Sequence, residues 1–238
     1  YFSSAASDVY KRQELALRFN PFLIVFARYL SQLILLLIIF NKQFKTHLKS
    51  NHKPLQILRG ALLMITTCFM FTGLAYLQFA ENISIYMIGP VMTTILAILI
   101  LKEKISFTQI LVVIIGLIGA LIIASPNKGA FNYAVIFPFL AALCFAFFTI
   151  STKFLNTSDS NQTTLLFTAI TGTILSLPFI IYFWKWPNLK DAILMFCLGF
   201  LATAGHFLFI EALKVINASF AAPFVYLTVL LAAFWGYI

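Results

Sequence analysis

The chain has 238 residues, of which 62% are hydrophobic and 10% charged, and its mean hydropathy is +0.99. A soluble domain carries roughly 45–50% apolar and about 25% charged residues, so a globule surrounded by water is excluded, and lipid is the solvent that removes the need for polar cover. The net charge of +9 does not imply a nucleic-acid partner, because the basic residues sit between apolar runs and form no stripe on one face.

Residues Tyr1 to Gln13 (YFSSAASDVYKRQ) are polar and lack the apolar core of a signal peptide. They resemble a translated sequencing-adaptor peptide and are set aside as non-native. The native chain is expected to start near Glu14 and to be truncated at both ends. Eight apolar runs follow: Pro21 to Phe40, Leu55 to Phe79, Ile83 to Leu101, Ile105 to Ala124, Phe131 to Ser151, Thr163 to Phe183, Ala192 to Leu213 and Ala218 to Ile238. Each is near the length of about 20 residues that a spanning helix needs. The runs are continuously apolar, whereas strands of a barrel alternate over about ten residues. In lipid the backbone of such a run must satisfy itself as helix.

The first run carries Arg28 well inside it, followed by Tyr29 and Gln32. A cation at that depth costs roughly 2.5–3.5 kcal/mol on insertion scales, so it should face the protein interior or a watery cavity. There it would anchor an anionic or polar substrate group. The alternative is an arginine that snorkels to the outer interface or pairs with a helix end. The connection Asn41 to Pro54 holds Lys42, Lys45, Lys49 and Lys53, and Arg59 stands just inside the second run, which carries Tyr76 and Gln78 towards its end. Glu81, beside Asn82, reads as a protonatable group at the outer mouth of a cavity, or as a water-exposed carboxylate favoured by the dipole of the next helix.

The third run holds Tyr86 and Pro90, and the tight turn after it holds Lys102 and Lys104. Proline removes one ladder bond and bends a helix, so Pro90, and Pro223 in the last run, read as kinks beside a central site. The other reading is a membrane proline with a packing role. Gly116, Ala120 and Ala124 recur every four residues in the fourth run, a small-residue face for close helix contact. Asp159, between the fifth and sixth runs, reads as plain loop. Trp184 and Trp186 flank the next connection as interface belt residues.

In the seventh run His206 and Glu211 are separated by a turn of about 500°, roughly 140° net, and do not share a face. Glu211 can pair with Lys214 three residues on. His206 is either a substrate donor or proton relay, or a satisfied core histidine. Tyr226, like Tyr29, Tyr76, Tyr86, Gln32 and Gln78, brings a polar tip into an apolar helix. Such groups suit a cavity for a flat or polar metabolite, or serve as helix contacts and interfacial anchors. Cys68, Cys144 and Cys197 each lie in an apolar run with no CxxC and read as packing residues.

If every run spans, nine basic residues collect on one side: Lys42, Lys45, Lys49, Lys53, Arg59, Lys102, Lys104, Lys153 and Lys214. Four lie on the other: Arg18, Lys128, Lys185 and Lys190. The excess places the first side in the cytoplasm. The chain also repeats weakly. Ala80-Glu81-Asn82 precedes Gly89-Pro90, and Asn217-Ala218-Ser219 precedes Ala222-Pro223. Duplicated units with an odd number of helices give inverted halves.

The stretch LAYLQFAENISIYMIGPVMTTILAILILKEKIS (Leu74 to Ser106) resembles the signature of the EamA-type drug/metabolite transporter superfamily, including its close on Glu103-Lys104. IIGLIGALIIASP (Ile114 to Pro126) is similar to the family's Gly-rich fifth helix, and GHFLFIEALKVINASFAAPFVYLTVLLAAFWGY (Gly205 to Tyr237) to its second-repeat form. FARYLSQLILLL (Phe26 to Leu37) resembles its second helix, which carries an Arg. The resemblance implies an all-helical membrane bundle of two inverted five-helix repeats, with both ends cytoplasmic. It assigns 14–126 to the first repeat, with helix one largely missing, and 127–238 to the second, with the last helix missing. The Ala27-Arg28-Tyr29 and Ala222 to Tyr226 patterns look most like members that move riboflavin-type vitamins or S-adenosylmethionine-like metabolites.

The expected function is secondary transport of a small organic metabolite across the bacterial inner membrane by alternating access about a midplane site. Arg28, Tyr76, His206 and Tyr226 are the candidate lining residues, and Glu81 is the candidate for proton coupling. No phosphate loop, metal-spaced cluster or nucleophile with a nearby base stands out, so no cofactor, metal or catalytic residue is expected. The expected partners are a small-molecule substrate and the lipid bilayer; nucleic acid is not one, and a homodimer is admitted. The competing classes are a lipid-modifying membrane enzyme and a non-transporting membrane subunit.

Overall fold

A computed structural model describes residues 19–77, 79–124 and 133–227. The segment Tyr1 to Gln13, Arg18, Gln78, Lys128, the end of the eighth run, and the side chains of Ala120 and Ala124 lie outside the described residues.

The described chain is helical throughout: α1 Pro21–Phe40, α2 Phe44–His47, α3 Lys53–Tyr76, α4 Phe79–Tyr86, α5 Gly89–Leu101, α6 Phe107–Ala124, α7 Ile136–Leu155, α8 Asn161–Phe183, α9 Leu189–Val215 and α10 Ala218–Ala221, with short 3-10 turns between some of them. Among the described residues six helices are long and apolar enough to cross a membrane, with α4 and α5 together forming one span, Glu81–Leu101. A shorter apolar helix, Phe107–Gly119 within α6, adds a seventh. The eighth expected run is described only through Leu227.

Local chemistry sets the boundaries. Asn20 accepts the Phe22 N–H at 3.0 Å ahead of Pro21, and Ser160 and Asn188 cap α8 and α9 in the same way. Helix α5 ends where Lys102 turns left-handed at φ 54°, so that the Glu103 N–H reaches back to the Ala97 carbonyl at 3.2 Å.

The interior mixes apolar side chains with many polar ones, while large apolar side chains cover the outside. On α8, Thr164, Thr168, Thr171, Thr173 and Ser176 are buried while Ile174, Leu175 and Leu177 are exposed. Threonine and serine are tolerated there because they bond back to their own helix, as Thr168 does to Thr164 and Ser176 to Gly172. Helices α3 and α7 pack along each other at the centre, α1 and α8 pack together beside them, α5 lies on α7, and α9 lies on α1. Small residues allow the close approach. A Cβ added at Gly172 would overlap the Tyr29 ring, and one at Gly199 would meet Ser31 and the Arg28 carbonyl.

Four connections gather at one end of the bundle. Asp159 binds Ser50 and the Asn51 N–H. Lys153 Nζ donates to the Leu213 and Ile216 carbonyls at 2.9 and 2.8 Å, and Glu103 receives Ala218 and Ser219. At the opposite end Phe22 stacks with Phe183, Lys185 lies over Phe19, and Tyr76 stacks on Phe137. These are the two ends that alternate threading of the runs requires.

Candidate functional site

The two proline positions mark the site. The span Glu81–Leu101 breaks at Met87 and Ile88, and Pro90 stands in the first turn of α5. Pro223 stands likewise in the first turn of the 3-10 stretch Ala222–Val225 that follows α10. Pro90 therefore starts a segment after a break, whereas Pro223 stands where α10 tightens without a gap into a 3-10 turn; Pro178 lies inside α8. Proline has no N–H to return to the preceding turn, which is why the helix gives way at Pro90.

Between these two segments lies a narrow cleft, a gap of about 10 Å³, lined by Pro90 and Thr93 of α5, Phe145 and Thr149 of α7, Phe209 of α9, and Ala221, Ala222 and Val225. Two of the lining side chains, Phe145 and Phe209, are aromatic, and other rings pack behind them. Phe145 meets Tyr86, Phe148 and Phe209 with ring centroids 5.6–5.9 Å apart, and Phe148 stacks on Phe209 at 6.0 Å. His206 closes edge-on against Phe148 at 6.1 Å.

One turn from the cleft is the most polar point of the interior. Arg59 is 1% exposed, and its guanidinium lies 4.4 Å from the centre of the Phe148 ring. Nε donates to Thr152 Oγ1 at 2.7 Å, while Nη1 donates to Thr168 Oγ1 and, at 3.4 Å, to the Thr164 carbonyl. Nη2 has no partner. Gln56 connects Thr164 to Asp159, at 3.1 and 2.8 Å.

Arg28 sits on α1, where Nη2 donates to Thr67 Oγ1 at 3.0 Å and the guanidinium covers the Tyr29 ring at 4.3 Å. Among the described residues its Nε and both amide atoms of the fully buried Gln32 have no hydrogen-bond partner. The remaining sequence candidates are spread across the bundle. Tyr76 ends α3 and is 66% exposed. Tyr226 packs on Gly116 and beside Met87, with its hydroxyl unpartnered. His206 stands edge-on to Phe148, and Glu81 lies in the first turn of α4. Glu211 pairs with Lys214 at 3.6 Å and also accepts from Asn161.

Two residues carry more than the sequence reading gave them. Arg59, counted there as a topology charge, is the largest of the fully buried side chains. Asp159, read as plain loop, is the acceptor that joins the 50–56 segment to the α7–α8 turn. The signal for Arg59 was the stripe Gln56, Arg59, Gly60, Leu63 on one face of α3, all of it buried.

Comparisons with known proteins fit this architecture. The model of the EamA-like transporter family matches residues 1–125 and again 132–238. An S-adenosylmethionine uptake transporter of Rickettsia bellii (strain RML369-C) is 30% identical over 235 residues, 99% of this chain and 80% of that protein. A riboflavin transporter of Vibrio cholerae serotype O1 is 29% identical over 170 residues, 71% of this chain and 57% of that protein. A solved crystal structure superposes with a TM-score of 0.78 at 14% identity, covering 97% of this chain and 84% of the other, a likeness that shows the fold alone.

Proposed function

Since this chain belongs to the EamA-like transporter family, and is thus a multi-pass membrane transporter and not an enzyme, we propose that it is a secondary transporter of a small organic metabolite in the bacterial inner membrane. The cargo class is that of its relatives: a flat heteroaromatic compound of the S-adenosylmethionine or riboflavin kind. The observation that carries the reading is the double match of the transporter family model, and the narrow cleft between the two proline segments supports it as the seam where the halves would part. Stacked phenylalanines offer faces to a flat ring and, through their quadrupoles, to an onium group.

Alternating access follows from two inverted repeats, 14–126 and 127–238, rocking about that cleft. The double match of the family model and the paired prolines support this division. The end that gathers Asp159, Glu103 and Lys153 is the cytoplasmic one, because the lysine-rich connection Asn41 to Pro54 lies there. In this arrangement Arg28 and Gln32 offer unpartnered polar atoms to the substrate from α1, and His206 and Tyr226 line the path on the other side. Tyr76 and Glu81 stand at the outer mouth, where Glu81 exchanges a coupling proton.

Uptake into vesicles tests the proposal. Saturable accumulation of labelled S-adenosylmethionine or riboflavin, abolished when the protein is omitted, is the expected result. No saturable flux of either compound contradicts the proposed cargo class.

A further inference from the structure

We infer that Arg59 is the anchor for a carboxylate on the transported metabolite, an inference that rests on the reading of this chain as a metabolite transporter. Arg59 is 1% exposed, and its hydrogen bonds go only to neutral acceptors on Thr152, Thr164 and Thr168. Among the described residues no carboxylate lies within ion-pair distance of it. A buried cation held by neutral groups keeps a strong attraction for an anion, and most strongly so in low dielectric. Its Nη2 is the unpartnered donor. With Nε and Nη1 already tethered, that nitrogen is the one left for a ligand, and a guanidinium recognises carboxylate oxygens by geometry as well as charge.

The position couples this donor to the cleft. Phe145 and Thr149, which line it, stand on the same face of α7 as Thr152, which holds Arg59. Phe148 is shared, with the guanidinium on its ring and His206 and Phe209 around it. A ligand whose ring rests against Phe145 and Phe209 would extend a carboxylate one helical turn further to Arg59 once the halves part. This arrangement selects a heteroaromatic compound carrying an amino-acid-like carboxylate over an uncharged one of the same breadth.

The test compares S-adenosylmethionine with its decarboxylated form in vesicles holding the full chain, for the parent protein and for Arg59→Gln and Arg59→Lys. The parent should favour the carboxylated compound by at least about tenfold, since a site built for a polar group rejects the analogue that lacks it. Arg59→Gln should bring uptake of the carboxylated compound down to that of the other, whose uptake stays unchanged. Arg59→Lys should keep part of the preference. Equal uptake of both compounds by the parent, or a parallel fall of both in Arg59→Gln, overturns the inference and leaves the transport reading standing. Saturable uptake of neither compound by the parent overturns the cargo class proposed above, and the inference with it. Where Arg59→Gln yields no monodisperse protein, Thr168→Ala takes its place, removing one tether while keeping the charge. It should raise KM for the carboxylated compound alone, and an equal effect on both compounds overturns the inference.

Discussion

Glu103 holds Ser219 twice: one carboxylate oxygen accepts the Ser219 N–H at 3.0 Å and its hydroxyl at 2.6 Å. Its other oxygen accepts the Ala218 N–H at 2.9 Å. Glu103 stands in the turn after α5, so it caps the start of α10, more than a hundred residues further along the chain. Free N–H groups at a helix start need such acceptors, and a carboxylate there also meets the positive end of the dipole. Glu103→Ala should lower stability by about 1 kcal/mol, the usual worth of a lost cap. Thermal unfolding in detergent checks this, and Glu103→Gln, which keeps one acceptor, should fall between.

The left-handed turn that aims Glu103 rests on Lys102, at φ 54°. A side chain in that region costs roughly 1–2 kcal/mol, a strain glycine does not carry. Lys102→Gly should therefore raise the unfolding temperature. An unchanged or lower value would mean that the side chain itself supports the turn.

Close helix contacts give a paired prediction. Gly172 lies under the Tyr29 ring, so Gly172→Ala should cost about 1–3 kcal/mol by overpacking. Gly119 has nothing within 4 Å of the same added atom, and Gly119→Ala should be neutral or stabilising by up to about 1 kcal/mol through helix propensity. Unfolding temperatures of the two variants, measured side by side, separate contact from propensity.

Asp159 predicts a response to acid. Partial burial pushes its carboxyl up, but bonds from Ser50, Gln56 and the Asn51 N–H, with the nearby His52, outweigh that and hold it below its ordinary 3.8. A depressed carboxylate contributes stability that is present above the unfolded value of 3.8 and is lost as pH falls through the folded one. The 50–56 segment should loosen from the α7–α8 turn only below that range. Amide hydrogen exchange over 50–56 across pH checks it, and Asp159→Asn should show the loosened pattern already at neutral pH.

The spans were legible because lipid demands long apolar runs, and a run such as Pro21 to Phe40 admits no other reading. The polar interior was less so. Hydropathy registers how far along a run a charge stands, not which way it points. Arg59, near the start of α3, could as well have snorkelled to the surface as turned inward. Asp159 was illegible for another reason: its partners Ser50, Asn51 and Gln56 lie more than a hundred residues away, and no local pattern announces them. Tyr76 was legible only in part: its polar tip admitted a cavity wall or an interfacial anchor, and as the last residue of α3 it is exposed.

Thiol accessibility at the cleft tests the central claim most directly. Thr149→Cys, in a protein whose Cys68, Cys144 and Cys197 are replaced, puts one thiol on the cleft wall. Labelling by a membrane-impermeant reagent from either face, slowed by transported substrate, is the result this account predicts. A thiol that reacts from neither face, or at a rate that substrate leaves unchanged, would contradict a solute path between the two proline segments.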